Sequence, residues 1–87
     1  MKMIIVIVKD HDAEPLTRAL TDAKYRFTRV ASTGGFLRSG VATLLMGVED
    51  AQVDSAMGLV RETAAGFGDE IPRATLFVVP VERFEQV

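Results

Sequence analysis

The sequence predicts an α+β fold of the ferredoxin-like type, βαββαβ, with a four-stranded antiparallel sheet carrying two helices on one face. Three observations point to it. Short apolar, β-branched runs lie near the two ends of the chain, "MKMIIVIVKD" and "RATLFVVPV". Two stretches with apolar residues at helical spacing each follow a strand. Between them, "YRFTRVAS" and "GVATLLMGVE" are separated by a glycine-rich segment, as the two arms of a hairpin would be.

Each element has its own warrant. The run from Met3 to Val8 is six apolar residues bounded by charges, which suits a strand better than a helix. Asp12 is placed to cap a helix whose first turn tolerates Pro15, with Ala13, Leu16, Ala19, Leu20 and Ala23 on one apolar face. In the second strand large and polar residues alternate, and the third is apolar throughout. Asp50 is the expected cap of a second helix, in which Val53, Ala56, Met57, Val60 and Ala64 recur at helical spacing before Gly66 stops it. A short connection, "GFGDEIP", leads to the last strand.

This pattern leaves too much apolar surface for one sheet face. Met3, Ile5 and Ile7 point one way and Ile4, Val6 and Val8 the other, while in the last strand Leu76 and Val78 oppose Phe77, Val79 and Val81. Two helices cover only one face, and a one-domain antiparallel sheet ordinarily turns polar residues to water on the other. The uncovered faces are therefore expected to meet in a symmetric homo-oligomer, with ligand clefts between subunits.

Length and composition narrow the function. The 87 residues, 48% hydrophobic and 25% charged, make one domain, 1–87. A chain of this size buries only about 60% of its unfolded surface alone, so assembly would help it. There is no cysteine and one histidine, His11, which excludes thiolate sites and leaves no metal-ligand cluster of the usual kind. A net charge of −2 argues against a nucleic-acid partner. The apolar runs are too short for a membrane span or a signal-peptide core, so a cytoplasmic location is expected.

The distribution of charge says more than its sum. From Ala23 to Val48 there are four basic residues, Lys24, Arg26, Arg29 and Arg38, and no Asp or Glu. The same stretch holds "STGGFLRSG", residues 32–40. Paired glycines, Gly34 and Gly35, let a backbone approach a ligand closely, and successive N–H groups in such a turn make a concavity for phosphate oxygens. Thr28 offers a hydroxyl. Arg26 or Arg38 can bond a phosphate or lie flat on adenine, and Phe36 and Leu37 can wall a base. A phosphate and a purine fit this segment, but the glycines could equally shape a hairpin tip, and Phe36 and Leu37 could anchor it on a neighbouring subunit. No carboxylate or histidine accompanies these residues, so general acid–base catalysis is not expected there.

Taken together, "MKMIIVIVKDHD", "YRFTRVASTGGFLRSG", Gly47 and "ATLFVVPVERFEQV" resemble the PII-like cyclic-di-AMP receptors of bacteria, signal-transduction proteins, over nearly the whole chain. The resemblance implies a homotrimer that binds cyclic di-AMP in its inter-subunit clefts, without catalytic activity and without a metal or cofactor. It assigns ligand contacts to Arg26, Thr28, Gly34, Gly35, Phe36, Leu37, Gly47, Phe77 and Gln86. Lys24 and Val41 stand where better-known members place ligand-contacting asparagines, and the connection from Gly66 to Arg73 is short where such members carry a long loop. Another adenine nucleotide, ATP or AMP, therefore stays open as the ligand, and a small ferredoxin-like enzyme or a metal-binding trimer are the readings from other classes. The sequence names no downstream protein partner.

Overall fold

The computed structural model describes residues 1–30 and 40–87. Among them the chain forms β1 (Lys2–Lys9), α1 (Asp10–Asp22), β2 (Phe27–Val30), β3 (Val41–Val48), α2 (Val53–Ala64) and β4 (Thr75–Pro80). The sheet order is β2-β3-β1-β4, antiparallel throughout, which is the ferredoxin-like α+β arrangement expected from the sequence.

Alternation along the strands decides the faces. Ile4, Val6 and Val8 of β1 and Ala42, Leu44, Met46 and Val48 of β3 are buried beneath the helices, where they meet Leu16 and Leu20 of α1 and Ala56 and Val60 of α2. The intervening residues, Met3, Ile5, Ile7 and Leu45, are half-buried on the other face, which no described element covers as the helices cover the first.

Both helices begin differently from expectation. The β1–β3 ladder runs to Lys9, and the Asp10 N–H donates to the Gly40 carbonyl (3.0 Å), so strand passes into helix without a loop. Asp12 is consequently the third helical residue rather than the cap; Lys9 holds that position with no side-chain bond, and Pro15 lies inside the helix, beyond its first turn. Its missing N–H removes a bond to the carbonyl four residues back.

Asp50 does not cap α2 either. A 3-10 turn, Asp50–Gln52, precedes the helix, and Glu49 and Gln52 form a reciprocal capping box, the Glu49 N–H donating to Gln52 Oε1 (3.1 Å). The Asp50 carboxylate instead accepts from the amino-terminal nitrogen (2.9 Å) and Lys2 Nζ (3.5 Å). That hydrogen bond, and then the Lys2 charge, hold its pKa below the usual 3.8.

Two backbone positions among the described residues are left-handed. Gly40 has φ +85° at the start of β3. Lys24 has φ +65° just past α1, where the Lys24 N–H donates to Thr21 O and the Tyr25 N–H to Leu20 O, the two bonds of a Schellman helix end.

The connection between α2 and β4 is tied at several points. The Phe67 N–H donates to Ala64 O (3.0 Å), Arg73 Nε donates to Gly68 O (2.9 Å), and Glu70 pairs with Lys9 Nζ at the end of β1 (3.2 Å).

Candidate functional site

The strand registers arrange the uncovered face in rows. One row runs Phe77, Ile5, Leu45, Thr28 across all four strands; the next runs Val79, Met3, Gly47. Extending the β2–β3 register by one residue sets Arg26 beside Gly47.

Beyond β4 the chain returns along this end of the sheet, the Val81 N–H donating to Met1 O (3.2 Å). Its residues become one wall of a groove of about 800 Å³ whose other walls are the sheet itself. Arg26, Thr28, Gly47 and Gln86 all line it. Met3, Leu45, Val79 and Phe84 supply an apolar floor and side, and a cavity of this size with few polar groups is typical of small-molecule sites.

The cation-rich stretch separates in space. Arg29 pairs in register with buried Leu44, so it lies on the helix side, and its Nη2 is 3.8 Å from Asp10 Oδ1. Lys24, in the helix-end turn, does not line the groove. Arg26 does, and it carries no ion pair among the described residues. A guanidinium with no carboxylate partner beside an apolar groove is suited to an anion or an aromatic plane brought in from outside.

Gly47 is informative for a different reason. Its φ is not left-handed, and a Cβ there would meet only the end of the flexible Met1 side chain, Cε at 3.3 Å. The fold does not require glycine at this position, and its absence of a side chain leaves the groove wall open there.

Phe77 is half exposed on the same face, yet it lies on β4, the opposite edge of the sheet from Thr28. Three strand spacings, about 14 Å, separate the two. Gly34, Gly35, Phe36 and Leu37, with Arg38, fall outside the described residues. The ends of that segment are described, and Val30 and Val41 lie toward the far end of β3 from Gly47.

Sequence reasoning missed the tail as a wall and Phe84 and Met3 as lining. The open-face alternation pointed to Met3, whereas nothing periodic marks residues 81–87. No group of three or more His, Cys, Asp or Glu able to hold a metal occurs among the described residues, and no helix there is long and apolar enough to cross a membrane.

A family model described as "Cyclic-di-AMP receptor" matches residues 1–69, which include Arg26, Thr28, Gly47 and the 31–39 segment. The chain belongs to the cyclic-di-AMP receptor family. The structure of a functionally unknown protein from Pediococcus pentosaceus ATCC 25745 is similar to this family member along its length, at 30% identity and a TM-score of 0.78, covering 99% of this chain and 96% of the other. Residues 70–87, including Phe77 and Gln86, lie beyond the family match, and the structural similarity extends the fold over nearly all of them.

Proposed function

We propose that this chain is a non-catalytic receptor that binds cyclic di-AMP in clefts between the subunits of a PII-like homotrimer. The observation that carries the reading is the groove on the open sheet face, where Arg26, with no ion pair among the described residues, stands beside Thr28, Gly47 and Gln86. Arg26 would neutralise a phosphate or stack on an adenine, Thr28 would donate its hydroxyl, Gln86 would bond a base edge, and Gly47 would leave room for the ring.

The remaining ligand-binding residues proposed from the sequence support a site shared between copies. Phe77 is on the opposite sheet edge, and the segment carrying Gly34, Gly35, Phe36 and Leu37 is rooted at the other end of the sheet. A neighbouring copy could bring both against the groove. Within the groove the one carboxylate is Glu82 and there is no histidine, which favours binding over acid–base chemistry.

Calorimetry and thermal shift with cyclic di-AMP, cyclic di-GMP, ATP and AMP test the proposal. Cyclic di-AMP at 100 times its dissociation constant should stabilise the chain by about 2.7 kcal/mol, and Arg26→Ala should weaken binding at least tenfold. Saturable binding of ATP or AMP without cyclic di-AMP would transfer the groove to a mononucleotide.

A further inference from the structure

A second cavity, of about 480 Å³, opens at the other end of the sheet, where the 31–39 segment rejoins it at Gly40. Its polar lining holds two cations, Lys9 from the end of β1 and Arg73 from the connection before β4, beside His11 from the first turn of α1, Thr75 and one carboxylate, Glu70. Ile71 and Pro72 make an apolar side.

Arg73 ties the α2–β4 connection and keeps part of its guanidinium available. Its Nε donates to Gly68 O (2.9 Å), which fixes the guanidinium while its terminal nitrogens carry no ion pair among the described residues. Lys9 is paired with Glu70 at 3.2 Å, but Glu70 is 79% exposed, so an incoming anion can displace that pair at little cost. Asp12 lies 3.6 Å from His11, and Asp10 is engaged with Arg29.

The two cavities stand at opposite ends of one strand. Met3 lines the Arg26 groove and Lys9 lines this one, six residues apart on β1, about 20 Å. No ligand of dinucleotide size touches both in a single chain. In a ring of copies each chain presents one surface to the neighbour on one side and a different surface to the other, so one chain's groove can face the next chain's second cavity.

We infer that Arg73 and Lys9 are phosphate-binding residues of the receptor site, acting on the ligand held in the adjacent subunit's Arg26 groove. The inference rests on the proposed function and deepens it. A cyclic dinucleotide carries two phosphates on opposite sides of its ring, and one cationic group from each subunit matches that arrangement.

Mixing two defective chains tests it. Arg26→Ala and Arg73→Gln homo-oligomers should each bind cyclic di-AMP at least tenfold more weakly than the unaltered chain. Co-refolded together, they should regain clefts of unaltered affinity, because a groove with Arg26 intact then faces a cavity with Arg73 intact. His11, the sole histidine, gives a second readout: its imidazole NMR signals should shift on saturation with cyclic di-AMP. If the unaltered chain binds but Arg73→Gln matches it and His11 does not respond, the inference fails while the receptor reading stands. Weakened singles without rescue on mixing would overturn the inter-subunit assignment. No binding of cyclic di-AMP by the unaltered chain would overturn both.

Discussion

Two left-handed residues are filled in opposite ways. Gly40 adopts φ +85° at no steric cost, whereas Lys24 at +65° brings its Cβ close to the following carbonyl oxygen. Lys24→Gly should therefore raise stability by about 1 kcal/mol in urea unfolding, since the Schellman bonds it closes are backbone bonds and stay. An unchanged or lower midpoint would mean that the lysine side chain makes a compensating contact. Gly47 supplies the converse test. Because a Cβ there meets only Met1 Cε, Gly47→Ala should leave the unfolding midpoint within about 0.5 kcal/mol while weakening cyclic di-AMP binding in calorimetry. The sequence alone exposed Gly47 as a closing glycine of a strand; that it faces the groove emerges only from the β1–β3 register, a long-range property.

Elements were more legible than their ends. Period-two burial in β1 and β3 and period-3.6 burial in α1 and α2 follow from the apolar pattern, and the strand order follows from the element order. The caps were not legible, because Asp12 and Asp50 have the right chemistry but the wrong neighbours. Together with a hydrogen bond to Gly40, α1 starts three residues early, and Glu49 with Gln52 captures the entry to α2. The β4 strand begins at Thr75, two residues later than the apolar run suggested, because Arg73 is used in the connection. Within α2, Gly58 occupies a helix interior where an added Cβ meets nothing within 4 Å. Gly58→Ala should stabilise the chain by about 0.5–1 kcal/mol, read as a higher thermal midpoint with unaltered ligand affinity. A loss of stability would reveal a neighbour packed against that side of α2 in the assembly.

At the scale of the molecule, the sheet face opposite the helices carries Met3, Ile5, Ile7, Leu45, Phe77 and Val79 without a covering layer among the described residues. Covering that face by other copies should give a trimer in light scattering at micromolar concentration, and Ile5→Glu, at the middle of the face, should shift the mass toward monomer and abolish ligand binding together. A monomeric mass for the unaltered chain would leave the face as a surface for another protein. The passage from β1 into α1 has a consequence for isotope exchange. The first amides of a helix have no partner within it and ordinarily exchange with solvent deuterium quickly. The Asp10 amide is bonded to Gly40 instead, so its uptake rate records how firmly the base of the 31–39 segment is held. Slower uptake there on adding cyclic di-AMP would let a single helical amide register a ligand bound at the sheet.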